Sequence, residues 1–159
     1  MEVKKMNRLK KYIQEKGEYL NKGSDRKAYL LNGKVYKIRI STKHGNQTLK
    51  EYYQIQEIKK NCGNLDFIPS YELINNSICI MEYVDLIAED CNDFSDWCYY
   101  NELDTDICSF YDYCKDTFND FKHHHFIEEM KGIWINDVMD NLDNFGYTNG
   151  YIKIVDFGL

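Results

Sequence analysis

The sequence predicts an α+β fold whose strands run mostly antiparallel, and three observations carry that prediction. Asn-Gly dipeptides stand between strand-like runs at Asn32-Gly33 and Asn149-Gly150, the strongest short-range hairpin signal available. Apolar residues recur at helical spacing near the N-terminus and again from Thr48. The resulting order is helix, hairpin, helix, hairpin, helices, then a loop and a hairpin, so hairpins rather than strand–helix–strand crossovers connect the strands. A chain of 159 residues holds one domain with a real core but not two, and no repeat or linker interrupts it.

Taken in order, residues 2–16 place Met6, Leu9, Tyr12 and Ile13 on one helical face, with most of the basic residues elsewhere. Gly17 breaks that pattern. From Gly23, "GSDRKAYLLNGKVYKIRI" reads as a turn, the run Ala28 to Leu31, the Asn32-Gly33 turn and the alternating run Val35 to Ile40. "STKHGNQ" is a loop, and "TLKEYYQIQEIKK" is a helix stopped by Asn61 to Asn64. "YELINNSICIMEYV" is a second hairpin turning at Asn75-Asn76. Residues 85–131 are acidic and aromatic, with helical spacing over Phe94 to Tyr100 and Ile107 to Met130. The remainder reads as short strands separated by Asp, Asn and Gly.

Composition narrows the function classes. A net charge of −6 argues against nucleic acid as the main ligand, because phosphate backbones require a basic surface. No run approaches the roughly 18 apolar residues of a membrane span, and the basic N-terminus has no apolar run behind it, so no signal peptide is expected. Six cysteines without a C-x-x-C pair read as reduced thiols in a cytoplasmic protein. The segment "DVMDNLDNFG" fails as a calcium loop, since Leu142 and Phe145 occupy positions that need an oxygen donor and a glycine. His123, His124 and His125 project about 100° apart on a helix and do not share one ion easily; a zinc site with Cys114 is the weaker reading of that cluster.

Single signals here are bland. A strand lysine is ordinarily solvated, a helix glutamate ordinarily faces water, and Asp156-Phe157-Gly158 alone is a strand end followed by a turn glycine. Their succession is not bland. A glycine turn opens a hairpin, a lysine lies on its second strand, and a glutamate follows one turn into the next helix. Then come a hairpin ending in Glu-Tyr-Val, an Asp/Asn-rich loop and strand-Asp-Phe-Gly. This series resembles the protein-kinase-like superfamily. "GSDRKAYLLNGKVYKI" and "HGNQTLKEY" are similar to the short kinase-like proteins of bacteria and their phages, and the resemblance runs from about residue 20 to the C-terminus.

The resemblance implies a single minimal protein-kinase-like domain over residues 1–159. Residues 1–84 would form the N-terminal helix and an antiparallel-sheet small lobe, and residues 85–159 a truncated helical large lobe. It implies ATP with Mg2+ or Mn2+ as cofactors. Lys37 would reach the α- and β-phosphates and Glu51 would pair with Lys37. Backbone amides around Gly23 and Ser24 would cradle phosphate, with Arg26 adding charge; no GxxxxGK[ST] is present, which excludes a P-loop enzyme. Met81 would gate the back of an adenine pocket whose edge meets the backbone of Glu82 and Val84. "GIWINDV" matches the family's Gly-Ile-x-His-x-Asp pattern with Ile135 in place of the histidine, and puts Asp137 at the carboxylate that orients an acceptor hydroxyl. The metal asparagine is due five residues later, where Leu142 stands; Asn144 comes seven after Asp137. Either the loop holds two extra residues or Asp140 takes the carboxylate role. Asn144 and Asp156 together would make a hard-oxygen metal site.

The chain ends at Leu159, one residue past the Asp-Phe-Gly tripeptide, and the expectation is that the surface by which larger kinases grip a protein substrate is missing. Three functional readings follow: a small ATP-dependent phosphotransferase, a nucleotide-binding pseudokinase, or a catalytically silent kinase-like binder that engages a protein partner through residues 85–131. None involves a membrane.

Overall fold

A computed structural model describes residues 3–63, 65–122 and 136–156, with backbone only for residues 136 and 137. The readings that rest on His123 to His125, on Gly132 to Ile135 and on Phe157-Gly158 lie outside the described residues, as does the side chain of Asp137. The chain forms two compact units: Met1–Tyr53 with Ser70–Tyr83, and Gln54–Pro69 with Val84–Leu159. Every strand pairing is antiparallel, and the class is α+β.

In the first unit, helix α1 (Val3–Lys16) precedes strands β1 (Glu18–Lys22), β2 (Arg26–Leu31) and β3 (Lys34–Arg39). Helix α2 (Gln47–Asn61) then starts in this unit, and β4 (Tyr71–Asn75) and β5 (Ile78–Glu82) complete a sheet of order β1-β2-β3-β5-β4. The order along the chain, hairpin, helix, hairpin, is the one expected for the antiparallel α+β class. The β2–β3 turn uses Asn32 at φ 52° and Gly33 at φ 73°, the left-handed pair that matches the twist of a two-residue hairpin. Between β4 and β5 the turn falls on Asn76-Ser77, one residue later than expected. The sequence reading also missed β1, a strand exposed at every position, because a strand with no buried face carries no period-two apolar signal.

Alternation splits the sheet's two faces. One face buries Tyr29, Ile38 and Ile78 against Ile13 of α1, with Leu9, Leu31, Tyr36 and Ile74 packed around them. The opposite face is set by register: Ala28 pairs with Lys37, Lys37 with Cys79, Val35 with Met81 and Met81 with Tyr71. Arg26, Lys37, Cys79, Met81 and Tyr71 therefore share it.

The second unit contains β6 (Leu86–Ile87), helices α3 (Asn92–Asn101), α4 (Ile107–Thr117) and α5 (Asn136–Met139), a 3-10 turn (Leu142–Asn144), and strands β7 (Phe145–Thr148) and β8 (Tyr151–Ile154), with sheet order β6-β7-β8. Segment 54–69 joins this unit, where the Ile154 N–H donates to Phe67 O at 2.9 Å. Asp106 caps α4 by accepting from the Ser109 N–H at 2.8 Å. The expected helix from Ile107 to Met130 instead ends at Thr117, because Phe118 takes an extended backbone and stacks on Tyr147 at 4.5 Å. An aromatic core links Phe94, Phe110 and Tyr113. No disulfide joins any of the six cysteines.

Candidate functional site

Each unit concentrates part of the sequence-derived constellation. In the first, Glu51 on α2 is fully buried and accepts from two cations: Lys37 Nζ reaches Oε1 at 2.9 Å, and Arg26 Nη1 reaches Oε2. The cations are nearly as enclosed, at 9% and 13% side-chain exposure for Arg26 and Lys37. Burial alone would push the Glu51 carboxyl up. The Lys37 ammonium and the Arg26 guanidinium outweigh it, with their hydrogen bonds, and hold the group below the ordinary carboxylate range. Glu51 is thus a buried carboxylate charge holding a strand lysine in one place. Below it, burial raises the Cys79 thiol and the Tyr71 phenol, and the Glu51 charge adds to both. Both groups therefore stay neutral, and the phenol donates to Thr48 O at 3.2 Å.

Sequence reasoning paired Glu51 with Lys37 but offered Arg26 to phosphate. In the structure the Arg26 side chain is buried on Glu51. Its position at the start of the strand after the glycine turn, on the Lys37 face, was a readable signal once that face was known to be buried. The turn itself is tied down: the Gly23 N–H donates to Arg26 O at 2.9 Å, and Asp25 O accepts from the Ile40 N–H at 2.8 Å. Gly23 and Ser24 are exposed. A Cβ built at Gly23 would come no nearer than 3.9 Å to a neighbour, so space does not demand glycine there. Met81 is buried on β5, and the Glu82 N–H donates to Ser70 O at 3.1 Å.

In the second unit, Val84 is buried, and the backbone of Asn144 bonds the residue that precedes Asp156. The Val155 N–H donates to Asn144 O at 2.7 Å, which sets the residue before Asp156 against Asn144. Asn144 is buried, and its Nδ2 donates to Val138 O at 3.2 Å. That bond assigns the amide's orientation: nitrogen toward α5, leaving Oδ1 without a hydrogen bond among the described residues. Asp156 is exposed at the end of β8. A carbonyl-type oxygen and a carboxylate form a hard-donor pair suited to Mg2+ or Mn2+. Among the described residues no cluster of three or more His, Cys, Asp or Glu side chains forms a metal site. Between Asp137 on α5 and Asn144 lies the 3-10 turn Leu142–Asn144, steadied by Asn141 Oδ1 accepting from the Asp143 N–H at 3.2 Å. Asp140 follows α5 and is exposed.

The described residues thus define an α+β chain with a buried cation–carboxylate–cation triad in one unit. Solved structures similar to the chain are of an aminoglycoside phosphotransferase with a protein-kinase-like fold. The gentamicin complex of APH(2")-IIa matches with TM-score 0.47 and 15% identity over 99% of this chain and 70% of that one. The streptomycin–ATP ternary complex of APH(2")-IIa matches with TM-score 0.47 and 14% identity over 99% and 71%. No family model matches the chain, and neither does any curated protein. Among the described residues no helix is long and apolar enough to cross a membrane.

Proposed function

We propose that the protein binds ATP with Mg2+ or Mn2+ and transfers a phosphoryl group to an acceptor hydroxyl. One observation carries this reading: Lys37 is held in a buried ion pair with Glu51 at 2.9 Å. Burying three charges is a poor way to gain stability, because desolvation cancels most of the Coulomb attraction and apolar side chains fill the same volume as well. A rigid, aimed ammonium is what stabilisation of a triphosphate requires. Arg26 strengthens the arrangement by fixing the second carboxylate oxygen, so that Glu51 presents Oε1 to Lys37 in a single geometry. The exposed Ser24 amide serves phosphate, the backbone of Glu82 and Val84 serves the adenine edge, and Met81 lines it. Asn144 Oδ1 and Asp156 hold the metal, which supplies charge neutralisation on the phosphates when bound. Asp137 orients the acceptor, with Asp140 as the alternative carboxylate.

Thermal-shift titration with ATP and Mg2+ tests binding: the melting temperature rises if N binds nucleotide and U does not, and Asp156→Ala abolishes the metal-dependent part. Labelled ATP then tests transfer, with Asp137→Asn and Asp140→Asn separating the two carboxylates. No shift with ATP sinks the nucleotide reading. A second reading, a silent binder of a protein partner through residues 85–131, draws support from Tyr99 and Tyr100 on α3. Each is 81% exposed and their rings lie 5.7 Å apart, and tyrosines are enriched where interfaces form. A thermal shift without label transfer to any acceptor favours that reading.

A further inference from the structure

Away from these residues, the first unit carries an open depression of about 490 Å³ lined by Lys10, Arg39, Ile40, Ser41, Thr42, Lys43 and Ser77. Its cations come from separate pieces of chain: Lys10 from α1, Arg39 from the end of β3, Lys43 from the loop that follows. Three hydroxyls accompany them and no carboxylate lines the wall. Ion pairs do form elsewhere on the surface, as Lys11 makes with Glu15 and Lys60 with Glu57. None of these three cations has a carboxylate within ion-pair distance among the described residues, although acidic residues outnumber basic ones 26 to 20. Lys10 and Arg39 are half-buried, so two of the charges are not simply extended into water.

The wall is also built. The Arg39 N–H donates to Ser77 O at 2.8 Å, joining β3 to the β4–β5 turn. Arg39 Nε donates to Ser41 O at 3.0 Å, and the Lys43 N–H donates to Ser41 Oγ at 3.1 Å. The guanidinium is therefore held by its Nε side while its two terminal nitrogens make no hydrogen bond among the described residues. Like charges gathered without a counter-ion repel, and an oxyanion relieves that repulsion. A planar guanidinium fork fits two oxygens of a phosphate at once, and serine and threonine hydroxyls donate to the others.

We propose that this depression binds a phosphate group, either free or borne on a small phosphorylated molecule. The site uses none of Lys37, Glu51, Asn144 or Asp156, so it stands apart from the nucleotide reading.

The test is a two-dimensional amide NMR titration of the full chain with inorganic phosphate and, separately, with ribose 5-phosphate, each against sodium chloride at matched ionic strength. Saturable shifts centred on Ser41, Thr42, Lys43 and Ser77 are expected. Arg39→Gln and the exposed Lys43→Ala should each weaken binding about tenfold, the loss that follows from one charge-assisted hydrogen bond. Equal affinity for the two probes assigns the site to the free anion, and tighter binding of the ester assigns it to a phosphorylated small molecule. Shifts that never saturate, that match the chloride control, or that centre on Ser24 and Lys37 overturn the proposal. So does undiminished binding in a folded Lys43→Ala variant.

Discussion

Replacing Glu51 with glutamine removes the buried negative charge that Arg26 and Lys37 share while leaving the volume almost unchanged, so the cost is electrostatic rather than a cavity. Glu51 is fully buried, and Arg26 and Lys37 show 9% and 13% side-chain exposure. Solvent screening therefore does little to soften the loss. Removing one partner of a buried pair costs about 3–5 kcal/mol because an uncompensated charge stays behind. That is a large share of the roughly 5–15 kcal/mol that holds a domain together. Urea denaturation followed by circular dichroism at neutral pH measures it; with a slope of about 1–3 kcal/mol per molar urea, the midpoint falls by roughly 2 M. The triple replacement of Glu51, Arg26 and Lys37 by methionine should recover most of that stability, since apolar residues of similar volume replace buried ion networks at little cost. A Glu51→Gln loss below about 1 kcal/mol, the range of solvated surface pairs, would refute the reasoning, because the triad would then not be dry.

Glu51 also sets a pH dependence. Its folded value lies below the ordinary 4.5, so its contribution is complete above about 4.5 and disappears as pH falls through the lower folded value. Arg26→Met should narrow that window toward 4.5, read from urea midpoints across an acid pH series. Gly146→Ala should destabilise β7 by about 1–3 kcal/mol through overpacking, because a Cβ there would stand 2.5 Å from Val84 Cγ1 and 2.6 Å from Leu86 O; thermal melts measure it. Asn144→Ala should abolish the Mg2+-dependent part of the ATP thermal shift and leave the metal-free part in place. Phe110→Ala, at a fully buried ring 5.2 Å from Phe94, should cost about 3–5 kcal/mol in urea.

Local chemistry was enough to write several elements into the sequence. Asn32-Gly33 and Asn149-Gly150 tolerate positive φ, and both became two-residue turns between paired strands. The face of α1 was legible because Leu9 and Ile13 recur one turn apart, and both pack on the sheet. Where the determinant lay far along the chain, the reading stopped short. Strand β1 buries nothing, and β6 is only two residues long; each exists because a neighbouring strand's backbone groups need partners. Helix α4 ends early because Phe118 has a better place on Tyr147 than on the helix.

The pairing of Lys37 with Glu51 could be inferred from order along the chain, since a strand lysine followed by a helix glutamate is a pattern in one dimension. That Arg26 joins them could not, because residues 26 and 51 meet only when register puts Arg26 and Lys37 on one sheet face and α2 buries its carboxylate there. The same holds for Asn144, whose amide is oriented by Val138 and whose carbonyl takes the Val155 N–H. Propensities and turn residues act over a few positions, and they decided which segments became helices and hairpins. Charge pairing acts through space, and only the folded chain decided which cations share a carboxylate and which three line one depression together.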